Sequence, residues 1–222
     1  MQLPRFNPET TIEVTASNWF NPLMSYKFFM VPGILVLLIT LVGANLAALN
    51  IVKEKEIGTI EQINVTPIKK YHFVLGKLIP FWLLGLLVLT IGMLIARFAY
   101  GIIPVGSLLV IYGFSAVYLL AVLGLGLLIS TFTHTQQQAM LISFFMMMVF
   151  ILLGGLYTPI ESMPAWARWI AAINPVAYFI EVIRMVMLKG SAFADIRQHL
   201  LIMCGFAVVL NTWAVFSYKK RS

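Results

Sequence analysis

Five long apolar runs separated by short polar or charged stretches dominate the chain. Residues 31–49, 78–96, 102–129, 139–157 and 200–218 contain no Asp, Glu, Lys, Arg or His. Four of them hold 19 residues each, about 28 Å of helix against a hydrocarbon core of about 30 Å. The longer run at 102–129 has room to tilt, or to begin with an interfacial lead-in at Pro104. The pattern predicts an all-α, polytopic membrane bundle with five spans near 29–52, 73–97, 102–131, 138–157 and 197–218. Residues 1–28 then form a polar N-terminal segment, and residues 219–222 a short tail.

Composition agrees: the chain is 61% hydrophobic and only 10% charged, with a mean hydropathy of +0.95, far from a soluble domain. The net charge of +7 does not point to nucleic acid, because the cations flank the spans and form no compact basic face with interleaved aromatics. Anionic lipid headgroups and topology account for them. Cys204, the single cysteine, lies inside the last run, so disulfide frameworks and thiolate metal clusters are excluded and it reads as a packing residue.

Lysine and arginine set the orientation. Lys53, Lys55, Lys69, Lys70 and Lys77 crowd the first connection, and Lys219, Lys220 and Arg221 end the chain. By the positive-inside rule both are cytoplasmic, and five spans place the N-terminus on the extracytoplasmic side. Residues 1–28 lack the apolar core of a signal peptide, so the expectation is that a span is missing upstream and that the chain is the C-terminal part of a longer design. The run Met146-Met147-Met148 in the fourth span fits core or lipid-facing filler, or the lining of an adaptable cavity.

A pump driven by protons or sodium places ionisable groups inside the membrane, whereas the polar residues here are mild: Asn45, Thr90, Ser115, Ser143, Asn211 and Thr212. Such groups hydrogen-bond across helices. His72, His134 and His199 lie apart and outside the runs, so no metal site is expected. No P-loop motif is present either. No catalytic residue and no cofactor are implied, and any energy for uphill movement must come from another polypeptide.

The 25-residue stretch 53–77 is therefore the place to meet a soluble partner. It predicts that the first span continues through Glu54 and Lys55 and stops at Gly58, suited to a left-handed helix end. Thr59 then caps a short helix with Gln62 completing a capping box, and Glu61 turned to solvent. Thr66-Pro67 starts the next helix. The plain alternative is a solvated hairpin whose lysines only fix topology.

Between the fourth and fifth runs, Gly154-Gly155 and Pro159 end a span. Ser162 is placed to cap a short helix with Pro164 in its first turn. Trp166, Trp169, Ile170 and Ile173 form an apolar stripe on it, and tryptophan favours the headgroup boundary. Asn174-Pro175 breaks the chain before a second helix over 176–188, too short to span. Glu181 and Arg184, one turn apart, are expected to pair. The result is a re-entrant hairpin, or else an interfacial anchor with no gating role.

Residues 52–80, VKEKEIGTIEQINVTPIKKYHFVLGKLIP, resemble the cytoplasmic loop of ABC-2 type permeases in Glu54, Lys55, Gly58, Thr59, Glu61, Gln62, Thr66, Pro67, Leu75, Gly76 and Lys77. Residues 157–190, YTPIESMPAWARWIAAINPVAYFIEVIRMVMLKG, match the family's Pro-Ile-x-Ser-Met-Pro, Asn-Pro and later Arg with Lys-Gly, and FFMVPG at 28–33 is a weaker third match. The resemblance implies the permease of a bacterial drug-export-like ABC transporter without an ATPase of its own. It implies two ATP-binding subunits, a second permease subunit, identical or related, and the cytoplasmic membrane of a bacterium. It also implies that Glu54, Lys55, Gly58, Thr59, Glu61, Gln62, Thr66 and Pro67 couple to the ATPase, and that the segment with Pro159, Ser162, Pro164, Trp166, Asn174, Pro175, Glu181 and Arg184 is an outer lid. The resemblance implies six spans with a large extracytoplasmic domain between the first and second, so the expectation is that the first span and most of that domain are missing here. Two other readings stay open: a structural or regulatory membrane subunit, and a lipid-acting membrane enzyme, for which Glu161, Glu181 and Arg184 make a poor set.

Overall fold

The computed structural model describes residues 26–58 and 70–217, with the side chains of 70–75 left aside. Among these residues the chain is helical without strands, in seven α-helices: α1 Tyr26–Ile57, α2 Lys70–Phe98, α3 Leu108–Phe132, α4 Gln136–Leu152, α5 Ala165–Ala172, α6 Pro175–Lys189 and α7 Phe193–Ser217. Four helices are long and apolar enough to cross a membrane, and the bent pair α5–α6 makes a fifth candidate. The expected polytopic bundle is what forms.

The bundle is organised around α3, which packs most extensively on α7 and α1. Small residues make the α1–α3 seam close: Ala44, Ala47 and Ala48 are fully buried and face Gly126. In lipid no hydrophobic force pulls helices together, so close backbone approach between small residues does that work. Above the seam Thr40 donates to its own helix at the Val36 carbonyl and shares a hydrogen bond with the Tyr118 hydroxyl of α3. The Tyr118 ring lies 4.3 Å from the ring of Phe179 on α6. By contrast α2 and α7 turn large apolar side chains outward, Leu83, Leu87 and Ile91 on one, Leu201, Val208 and Phe216 on the other. That is the arrangement expected of faces solvated by acyl chains.

Polar residues of the spans behave as expected in part. Asn211 of α7 donates to the Leu120 carbonyl of α3 at 2.8 Å, and Thr90 of α2 meets the Tyr112 hydroxyl of α3 at 2.8 Å. Ser115 instead bonds back to Ile111 within its own helix, and the buried Asn45 Oδ1 and Ser143 Oγ have no partner among the described residues.

Two boundaries differ from the hydropathy reading. The fourth span, expected over 138–157, is a 17-residue helix that ends at Leu152, because an apolar sequence continues past the point where Gly154 and Gly155 stop favouring helix. The run expected from residue 102 becomes helical only at Leu108, where α3 begins, and the amides of Val105 and Gly106 donate to the carbonyls of Met187 and Val186 at the end of α6. Those carbonyls lack partners within their own helix.

Candidate functional site

The two ends of α1 organise two polar clusters. Phe29 and Lys55 are 26 residues apart on one helix, about 39 Å, so the clusters lie on opposite sides of any bilayer the bundle crosses.

At the elbow end α1 runs past the apolar seam and stops at Ile57, with Gly58 at φ +81°. This is the left-handed stop expected there, a conformation costing other residues about 1–2 kcal/mol. Three charged side chains of its last turns each reach a different element. Glu54 pairs with Lys77 of α2. Lys55 donates to the carbonyls of Ser130 and Thr133, where α3 ends. Glu56 accepts from the Gln136 side chain at 2.8 Å and from its amide at 3.3 Å, at the start of α4. Thr135 caps α4 by accepting from the Gln138 amide. The end of α1 is thus tied to α2, α3 and α4 together.

Residues Thr59, Glu61, Gln62, Thr66 and Pro67, assigned to the coupling helix, lie outside the described residues. Glu54, Lys55 and Gly58 fall at the junction just described. Neither the Lys55 bonds nor the Glu56–Gln136 pair was legible beforehand, since their partners are backbone carbonyls and a glutamine 80 residues away. The Glu54–Lys77 pair is partly exposed, and such pairs contribute about 0.2–1 kcal/mol. Glu54→Gln is therefore expected to leave the thermal midpoint of the purified protein nearly unchanged. A large drop would mean that the pair holds the elbow in place by itself.

At the opposite end α5 and α6 meet at 84°. Asn174 is fully buried at the corner. Its Oδ1 caps α6 by accepting from the Val176 amide at 3.0 Å, and Pro175 occupies the first turn, where its missing N–H costs nothing. The Asn174 amide group also donates to the Phe150 carbonyl at 2.7 Å. Arg184, two turns along α6 from Ala177, donates to the carbonyls of Gly155 and Leu156 at 2.9 and 3.2 Å, and its guanidinium lies 3.7 Å from the centre of the Phe29 ring of α1. The hairpin therefore supplies partners to the carbonyls at and beyond the end of α4. The three sequence motifs at 28–33, 52–80 and 157–190 divide accordingly: the first and third meet at Arg184, and the second forms the elbow.

Two expectations are corrected here. Glu181 does not pair with Arg184; its Oε2 lies 3.3 Å from His199 Nε2 of α7, while Arg184 is held by carbonyls that accept both ends of its planar fork. Ser162 does not cap α5. It sits in a 3₁₀ turn, Ile160–Ser162, and donates to the Pro159 carbonyl at 2.7 Å, and Pro164 occupies the cap position of α5. The tryptophan stripe is present: Trp166 and Trp169 are exposed, whereas Ala167 and Ala171 of the other face are buried.

Between the two clusters Leu37 and Leu41 of α1 and Phe144, Met147, Met148 and Ile151 of α4 line an apolar groove of about 260 Å³. Two residues of the methionine run are thus wall residues. Among the described residues no three His, Cys, Asp or Glu side chains converge as metal ligands would.

The profile of the ABC-2 family transporter proteins matches residues 1–216. Two proteins of Escherichia coli K12, each described as a "probable multidrug ABC transporter permease", are 35% identical: YbhR over 81% of this chain and 49% of its own length, and YbhS over 96% and 57%. ABC transporter G family member 20 of Dictyostelium discoideum is 24% identical over 95% of this chain and 28% of its own length. The chain spans about half the length of the bacterial relatives it matches.

Proposed function

The chain belongs to the ABC-2 family of transporter proteins, and from that premise we propose that it is the membrane-spanning subunit of an exporter energised by a separate ATP-binding subunit. Two copies of that subunit, together with a second permease chain, complete the proposed assembly. The cargo is lipophilic or amphiphilic, drug-like or lipid-like, and moves outward across the cytoplasmic membrane with the elbow on the cytoplasmic side.

One observation carries this reading. The apolar runs contain no Asp, Glu, Lys, Arg or His to carry a coupling proton or ion, whereas at the elbow Glu54, Lys55 and Glu56 fasten one helix end to three other helices. A push delivered to residues 59–65 would therefore reach α1, α2 and the α3–α4 turn together. The apolar, methionine-lined groove between α1 and α4 suits a greasy, variable cargo, in keeping with the multidrug description of the E. coli relatives.

The test reconstitutes the chain with its ATP-binding partner and follows ATP-dependent movement of a lipophilic dye in inverted vesicles. Glu61→Ala is expected to keep ATP hydrolysis and the assembled complex while lowering transport about tenfold, a loss of about 1.4 kcal/mol in the coupled step. Unchanged transport would refute the coupling role, and dye movement without ATP would refute the energy source.

A further inference from the structure

At the hairpin end α1, the exit of α4 and α6 enclose a cavity of about 360 Å³, which the coupling mechanism does not use. Its wall carries charges of balanced sign: Glu161 and Glu181 against Arg184 and Lys189. Arg184 gives both terminal nitrogens to carbonyls, but its Nε is buried without a partner among the described residues. The Nε is covered by protein, so what Arg184 offers the cavity it lines is its positive charge rather than a free donor. Glu181 meets His199 through Oε2 and is more than half exposed. Ile180 and Phe29 add apolar surface to the same wall.

We infer that this cavity binds the zwitterionic headgroup of a membrane phospholipid, its phosphate toward Arg184 and a primary ammonium toward Glu161 and Glu181. A simple anion or cation would meet as much repulsion as attraction on a wall of zero net charge, whereas a dipolar headgroup matches both signs. A primary ammonium brings three N–H donors to the carboxylates, and a quaternary ammonium brings none. Lipid is favoured over a soluble zwitterion because Trp166 and Trp169 of α5, 64% and 78% exposed, set this end of the bundle at headgroup depth.

The experiment exchanges the purified full chain into micelles doped with equal amounts of phosphatidylethanolamine, phosphatidylcholine and phosphatidylglycerol, and counts retained lipids by native mass spectrometry. The wild-type chain is expected to retain phosphatidylethanolamine about fivefold over either other lipid, as two or three partly exposed ion pairs allow. Substituting Arg184 also loosens the fold, so the decisive variant is Glu161→Gln with Glu181→Gln. It keeps the cation and is expected to shift the preference to phosphatidylglycerol. Equal retention of all three lipids by both proteins overturns the inference. Displacement of the lipid by soluble phosphoethanolamine at equal concentration overturns the membrane source. The readout needs neither ATP nor transport, so it stands apart from the proposed export activity.

Discussion

Arg184→Ala is expected to lower the stability of the solubilised protein by about 3 kcal/mol, the sum of losing charged hydrogen bonds and leaving carbonyls without partners. The carbonyls of Gly155 and Leu156 lie just past the end of α4, where no amide of their own helix can reach them. The same substitution removes the cation stacked on Phe29, and so the polar tie between α1 and the hairpin. Arg184→Lys is expected to recover less than half of the loss. An ammonium is a point charge that cannot serve two carbonyls and lie flat on a ring at once. Thermal unfolding of the three proteins in one detergent measures this, and labelling of a Leu156→Cys variant in a Cys204→Ser background reports whether the α4 exit opens. Wild-type midpoints with Leu156→Cys still protected would show that apolar packing alone holds the hairpin down.

The apolar runs mark five of the seven described helices, because length without charge is a direct statement about what lipid accepts. They said less about where helices end. Gly154, Gly155 and Leu156 are as uncharged as the turns before them, so hydropathy runs on to Tyr157 while α4 stops at Leu152. The hairpin was legible in outline from Asn174-Pro175 and the tryptophan spacing, since both are local signals. Its fastening was not. Glu181 and Arg184 have the spacing of a helical pair, but three-dimensional structure offers Arg184 two carbonyls and Glu181 a histidine from α7. The elbow divides the same way: the stop at Gly58 follows from local backbone preference, whereas the reach of Lys55 to Ser130 and Thr133 depends on how α1 crosses α3.

That crossing leaves little room for substitution. A side chain begun at Gly126 would place its Cβ 2.5 Å from the Ala44 carbonyl oxygen and 2.9 Å from the Ala47 Cβ, and backbone cannot rotate aside as a side chain does. Gly126→Val is therefore expected to force α1 and α3 apart and to destabilise the bundle by about 3 kcal/mol or more. The loss is read as disappearance of the monodisperse peak when detergent-solubilised protein is heated before size-exclusion chromatography. Gly113→Ala, on the same helix with nothing within 4 Å of the added carbon, is the control. It is expected to be neutral or to stabilise by up to about 1 kcal/mol through helix propensity. Together the pair separates a steric cost at the seam from any general effect of losing a glycine. Lys55 depends on the same seam to reach the end of α3, so under the proposed function a Gly126→Val chain that still folds in a milder detergent is expected to transport poorly while its ATP-binding partner still hydrolyses ATP. Equal survival of Gly126→Val and Gly113→Ala on heating would mean that the α1–α3 contact is not what holds the elbow to the bundle.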